Sequence, residues 1–351
     1  MDNLIKTVYY FTLHAKIFGV RGKKEEAVIM GRKRKPITLG VDLGGTKVDV
    51  AVVDGAGGII FSRRYSTNPQ KGPDGVIADI TTYVKDCLGK TSEDILALGI
   101  GVAGQVEPSA GNVRFAPNLR WQNVPLKNEL EKGIGLPVIV TNDVRAATYG
   151  EWLYGAGHGV DDLIAIFVGT GIGGGVISGG RMLEGCSNTA GEIGHITIRT
   201  DGRRCNCGNM GCLEAYAGGW AIAERAKEAV RCNAESGLYL LKLAGGVENI
   251  TAVALNKAYQ DKDPLACQLV EETGMYLSAG IASIVNAFNP CLIILGGGVV
   301  ENFTIFIPMA EQGVKKLALK ASSTHLKIVK AGLGEKAAVI GAAAMARGLI
   351  I

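Results

Sequence analysis

The sequence has almost no excess of either charge. Its 37 Lys and Arg residues stand against 33 Asp and Glu, a formal net charge of +4 at pH 7 over 351 residues. A balance this even gives no electrostatic case for nucleic acid or an anionic membrane as a partner. Long apolar runs are also missing. None reaches the ~18 uninterrupted residues of a spanning helix, and the apolar stretch at the start is broken by Lys6, His14 and Lys16. A disulfide framework is the third absence. Cys87, Cys186, Cys232, Cys267 and Cys291 stand singly along the chain, unlike the dense spacing of a small secreted domain. Together these absences lead us to expect a cytoplasmic protein in a reducing compartment, with no targeting signal and with neither nucleic acid nor membrane as partner.

Glycine is abundant instead. Fifty glycines are about twice the ordinary share of roughly 7%, and most sit in short clusters beside strand-like runs, a pattern that suggests backbone loops approaching a ligand. The length allows two lobes with cores of their own. Residues 1–35, which end in the basic run Arg32 to Lys35, carry no chemistry and read as a poorly ordered extension with a solvated tail. Met30 just ahead of the first strand makes 1–29 dispensable in this reading.

From Ile37 the text alternates β-branched runs with helical segments: strands at 37–41, 48–53, 59–65 and 96–102, and a helix near 75–88. A second series opens with a strand at 137–141 and a helix at 144–154, then strands at 163–168 and 175–178. Residues 214–289 are largely helical, followed by one buried strand at 291–295 and an Ala-rich helix over 336–347 with Gly341 as its weak point. The chain is therefore α/β. The expected lobes are 36–142 plus 336–351, and 143–335.

The densest chemical signal is the stretch His195 to Glu214, with Cys205, Cys207 and Cys212 separated by glycines. One imidazole and three thiolates fill a tetrahedral zinc set, and Gly208 and Gly211 let the backbone turn so that the sulfurs converge. No position remains for a catalytic water, so the zinc is expected to be structural.

Two Gly-rich turns follow. Asp42, Gly44, Gly45, Thr46 and Lys47 lie between two strand-like runs in a segment too short for a helix. As a hairpin turn it offers backbone N–H groups, a hydroxyl, a cation and a carboxylate able to hold Mg²⁺ through water. Gly169, Gly171 and Gly174 formally satisfy G-x-G-x-x-G, but strand residues follow where a dinucleotide site needs a helix. This too reads as a hairpin, with Gly169, Thr170 and Gly171 at the phosphates. Two such hairpins suggest two similar lobes facing each other across a cleft.

These turns and the zinc loop, together with Gly101 to Val106, Ala116 to Leu119, Asn142-Asp143, Glu192-x-x-His195, Cys212-Leu-Glu214 and Leu295 to Val299, resemble the ROK family of sugar kinases and repressors. The resemblance covers about residues 36–351. It implies a two-lobed sugar-kinase/actin-like ATPase (ribonuclease H-like) fold and a hexose kinase that uses ATP with Mg²⁺, glucose first among its substrates. N-acetylmannosamine, N-acetylglucosamine, fructose or allose kinases remain alternatives, and a homodimer or dimer of dimers is expected. Asn142, Asp143, Glu192, His195 and Glu214 match the family's sugar contacts, Asp143 the general base, and Gly296 and Gly297 the adenosine side. Ala103 departs from the proline of many relatives. Asp143 also reads as the N-cap of the helix that follows, a role compatible with catalysis. His195 would serve both metal and sugar, one ring nitrogen to each. The family's repressors carry a DNA-binding domain ahead of this part; the 35 residues before the first strand show no helix-turn-helix pattern.

Overall fold

The computed structural model describes residues 36–107 and 109–350; the extension and its basic run lie outside the described residues. Two five-stranded sheets share one topology. The first contains β1 (Ile37–Leu43), β2 (Lys47–Val53), β3 (Ile59–Ser66), β4 (Ile95–Val102) and β8 (Val138–Asn142), in the order β3-β2-β1-β4-β8. β1, β2 and β3 are antiparallel neighbours, whereas β4 and β8 join β1 in parallel. The second sheet repeats this with β9 (Leu163–Val168), β10 (Ile172–Ser178), β11 (Arg181–Met182), β12 (Leu292–Gly296) and β13 (Lys327–Lys330), in the order β11-β10-β9-β12-β13. A small third sheet is made of β5 (Gln105–Val106), β6 (Val113–Ala116) and β7 (Trp121–Val124).

Helices cover the sheets. α1 (Gly72–Leu88) turns Val76, Ile77, Ile80, Val84 and Cys87 inward at helical spacing, and with α2 (Leu126–Ile134) it closes the core of the first sheet. α3 (Asp143–Tyr154) follows β8 directly. Beyond the second hairpin come α4 (Glu214–Ala217), α5 (Gly219–Cys232), α6 (Leu238–Ala244), α7 (Ala252–Gln260) and the 25-residue α8 (Pro264–Phe288). The short α9 (Gly298–Asn302), α10 (Phe306–Leu317) and α11 (Lys320–Ser323) precede β13. The second core lies between these helices and the second sheet. α12 (Ala337–Arg347) returns to pack on β1, β2, β4 and α3. Among the described residues no helix is long and apolar enough to cross a membrane.

The expected elements are present with small shifts at their ends, but two local readings are corrected. The N-cap of α3 is Asn142, not Asp143: Asn142 Oδ1 accepts from Arg145 N at 3.1 Å, which releases the Asp143 carboxyl from capping. Gly341 is a contact rather than a weak point. A Cβ there would lie 1.7 Å from the carbonyl oxygen of Ala146, and one at Gly150 would lie 2.5 Å from the Ala337 oxygen, so α3 and α12 cross backbone to backbone. Helix propensity alone says that Gly341→Ala stabilises by about 0.8–1.0 kcal/mol. The crossing says the opposite, because the methyl meets backbone that cannot move aside. We expect Gly341→Ala to lose about 1–3 kcal/mol in denaturant unfolding; a gain in stability would refute the packing argument.

Candidate active site

Parallel strands β1, β4 and β8 bring their C-terminal ends to one edge of the first sheet, where α/β folds place ligands. Asp42 of β1 is in register with Gly101 of β4, and Gly101 with Thr141 of β8. Gly101 has no side chain where the start of α3 passes: a Cβ there would lie 3.1 Å from Asp143 Cα. Asp42 and Asp143 consequently line the same cavity with Lys47, Gly297, Gly298, Glu301 and Glu335. Burial pushes the Asp42 carboxyl up to about 7, and the negative charges of Asp143 and Asp49 add to this against Lys47 and Arg64. Burial likewise raises Asp143, with Glu192 contributing, although Asp143 Oδ1 accepts from Val144 N at 2.9 Å.

Both predicted turns are hairpins. In the first, Gly44 N donates to Lys47 O at 3.0 Å, and Gly45 passes so close to Asn118 that a Cβ would lie 2.8 Å from its carbonyl oxygen. Lys47 pairs with Glu335 at 3.8 Å. In the second, the turn of Gly169, Thr170 and Gly171 is held from below: Gly219 N donates to Gly169 O at 2.9 Å and Trp220 N to Thr170 O at 3.0 Å. Of the glycines that follow, 173 to 175 are packing positions. A Cβ at Gly173 would meet Val144, at Gly174 Ile193 and at Gly175 Thr148, each nearer than 2.6 Å. Gly297 has φ +89 and lines the large cavity, as Gly298 does. Gly296 is packed so closely that a Cβ would lie 2.9 Å from Phe167 and Ala331, and it does not line that cavity.

A second, smaller cavity is lined by Gly104, Gln105, Asn142, Arg145, Asn188 and Glu192, among others. Val144 lines both cavities, so the first turn of α3 separates them. Of the expected sugar contacts, the structure brings Asn142 and Glu192 together here and places Asp143 at the boundary. Asn142 is partly committed, since it caps α3 and donates from Nδ2 to Gly104 O at 3.2 Å. Neither His195 nor Glu214 lines this cavity. Glu214 Oε2 accepts from Ile172 N at 2.8 Å and Oε1 from Trp220 Nε1 at 3.2 Å, so in this structure its carboxylate braces the second turn. Arg145, Asn188, Glu301 and Glu335 were missed by the sequence reading, as was Glu151. The last is fully buried and accepts from Ala156 N, Gly332 N and Leu333 N at 2.7–2.9 Å, fixing the segment that leads to Glu335.

His195, Cys205, Cys207 and Cys212 converge as the spacing implied, with one ligand atom from each lying within 4.8 Å of all the others. Cys207 and Cys212 sulfurs are 3.7 Å apart, and Cys205 Sγ is 3.8 Å from His195 Nδ1. A tetrahedron with metal–ligand bonds of about 2.0–2.3 Å has edges of roughly 3.3–3.8 Å, so the donor set could hold a zinc ion. Nδ1 is the ring atom inside the cluster, which leaves Nε2 outside it. Gly208 and Gly211 have φ +93 and +75, and a Cβ at Gly211 would strike the Arg199 oxygen, so both expected turn glycines are required. Burial pushes the Cys205 thiol up to about 12 and also raises Cys212, so both are held as thiols without a metal, and zinc would bind them with release of their protons.

The model of the ROK family matches residues 38–348 of this chain. A glucokinase of Streptomyces coelicolor is 35% identical over 313 residues, covering 89% of this chain and 98% of the relative. A putative xylose repressor of Caldicellulosiruptor is 30% identical, covering 93% of this chain and 82% of its own length. Among solved structures, a glucokinase from Streptomyces griseus in complex with glucose and AMPPNP is similar at 37% identity with a TM-score of 0.74, over 89% of this chain and 99% of that one.

Two outcomes follow from the geometry. Elemental analysis of purified Cys207→Ser should show loss of bound zinc and a lower melting temperature, since structural zinc sites draw on roughly 10–16 kcal/mol of binding free energy; a metal-free yet equally stable wild type would overturn the site. The Asp42 carboxyl is raised from 3.8 to about 7, so its favourable contribution to folding is complete below 3.8 and is lost as pH rises through 7. Ligand-free Asp42→Asn should therefore gain stability relative to wild type between pH 4 and 8 in thermal melts. A difference that shrinks with rising pH would contradict the shift.

Proposed function

The chain belongs to the ROK family, and on that premise we propose that it is a hexose kinase, transferring the γ-phosphoryl group of ATP to the primary hydroxyl of a hexose, with glucose the first substrate to test. The observation that carries this reading is the first turn of α3. It lines one cavity with Asn142, Val144 and Arg145 and the other with Asp143 and Val144, which supports a half-buried carboxyl working where a sugar cavity meets a larger donor cavity. The two sheets mark the two lobes in this reading, 36–142 with 336–351 and 143–335. The full turn set Asp42, Gly44, Gly45, Thr46 and Lys47 supports catalysis over sugar sensing alone.

In this proposal the hexose lies against Glu192 and Asn142, whose carboxylate and amide make paired hydrogen bonds with neighbouring hydroxyls. Asp143 accepts the proton of the primary hydroxyl as that oxygen attacks phosphorus, and the burial that raises its pKa makes it a stronger proton acceptor than a free carboxylate. The turn at 44–47 and the turn at 169–171 hold the phosphates through backbone N–H groups, Thr46, Thr170 and Lys47. Mg²⁺ arriving with the nucleotide would neutralise phosphate charge, with Asp42 as the residue to hold it. A structural zinc in the His195 and Cys205 to Cys212 set would fix His195 and Glu214, the first with Nε2 available to the sugar side and the second as the brace of the phosphate turn.

The test is a coupled phosphorylation assay over a hexose and amino-sugar panel with wild type and Asp143→Asn. We expect the variant to lose about 10²–10⁴ in turnover while glucose affinity by calorimetry changes little. Glu192→Gln should mainly weaken sugar binding. Near-wild-type turnover by Asp143→Asn would reject the base assignment.

A further inference from the structure

Arg145 is a buried cation on the sugar side that the catalytic scheme leaves unused. Its side chain is only 6% exposed. Nη1 donates to the backbone oxygen of Asn188 at 3.0 Å and also to Asn188 Oδ1. Nη2 is 3.8 Å from the Glu184 carboxylate, and Nε is buried with no partner among the described residues. Burying a guanidinium with one donor unmet is costly, so its double grip on one residue calls for a reason.

Asn188 supplies it. With φ +61 it is in the left-handed region, and its Nδ2 donates to Val106 O at 3.3 Å. One asparagine thus ties α3 to β5 at the rim of the cavity that Arg145, Asn188, Val106 and Glu192 all line. The segment it belongs to, residues 183–191, is closed by Ala190 N donating to Glu184 O at 3.1 Å and has glycines with positive φ at 185 and 191. Most of it is exposed. It runs directly into Glu192, whose carboxylate lies within electrostatic range of Arg145.

We propose that Arg145 and Asn188 form a clasp that holds the strap 183–191 over the sugar cavity and sets the place of Glu192, which makes both of them positioning residues for hexose binding. The inference rests on the kinase reading of that cavity. A lysine at 145 would keep the charge but lose the planar guanidinium that aims Nη1 at Asn188, and an alanine at 188 would remove the Oδ1 and Nδ2 bonds, leaving only the bond from Arg145 to the backbone oxygen.

The experiment uses the full chain as wild type, Asn188→Ala, Arg145→Lys and the double variant. Without sugar, backbone amides of 183–191 in Asn188→Ala should exchange with deuterium at least about tenfold faster, with the melting temperature nearly unchanged. In hexose phosphorylation KM should rise about tenfold with kcat within about threefold of wild type, Arg145→Lys lying between the two. The double variant should fall well short of the product of the two single effects, because both substitutions act on one contact. Unchanged exchange over 183–191, additive effects, or a fall in kcat at constant KM would each overturn the clasp. If wild type phosphorylates no hexose, the kinase reading fails instead, and the exchange comparison still decides whether the clasp exists.

Discussion

The site depends on how closely one helix, α3, can approach its neighbours. Its first turn carries the cap Asn142, the carboxyl of Asp143 and the guanidinium of Arg145, and these must lie where two cavities meet. That is possible only because α3 is surrounded by backbone. Gly101 of β4 faces its first residue, Gly173 and Gly175 of β10 face Val144 and Thr148, and Gly341 of α12 faces Ala146. A single side chain at any of these positions would push the helix outward and widen the gap between Asp143 and the carboxylate of Asp42. Close packing leaves no room for relaxation, so what looks like loop-forming glycine in composition acts here as a template for helix docking.

A second dependence runs through the cysteine loop. The four-ligand set fixes the segment 195–212, and Glu214 lies two residues beyond it. Its carboxylate accepts from Ile172 N and Trp220 Nε1, while Gly219 and Trp220 donate their backbone N–H groups to the turn at 169–170. Gly171 is required for the same reason, since a Cβ there would lie 2.3 Å from Glu214 Oε2. The metal loop therefore supports a phosphate-side turn as well as His195, and the two halves of the site share one brace.

How much of this was legible in the sequence followed the distance along the chain. The His195 and Cys205 to Cys212 set, both hairpins and the helix after Asp143 depend on residues close in sequence, and they were read with small errors at the ends. Contacts between distant residues were not legible. Arg145 meets Asn188 across 43 positions, Glu151 meets Gly332 across 181, and Gly341 meets Ala146 from the far end of the chain. The same reason hides packing contacts around the expected site residues. Glu214 reads as a sugar contact because its motif surrounds the cysteine loop, and its donors at 172 and 220 come from other elements. Gly296 reads as a ligand-side glycine, and Phe167 and Ala331 pack against it from other strands and loops. Asn142 and Asp143 exchanged the capping role because either side chain suits an N-cap, and only the backbone angles distinguish them.

The electrostatics of the two carboxyls follow from this packing. Asp42 and Asp143 are brought to one cavity by parallel strands and are both partly buried; burial and then the charge of Asp143 raise Asp42, while burial and then Glu192 raise Asp143. Lys47 is turned toward Glu335 and Arg64 is shared between Asp49 and Glu335, so the nearby cations are already engaged. A cavity arranged in this way is short of positive charge at its acidic end. It is completed by a ligand that brings a cation with its own anionic groups, the cation for the carboxyls and the anions for the N–H groups and Lys47. Under the proposed kinase reading, the shortage at Asp42 and the N–H-rich turns on either side suit one chemical object, a metal-bound polyphosphate, and the helix that holds Asp143 would set how far that object lies from the sugar.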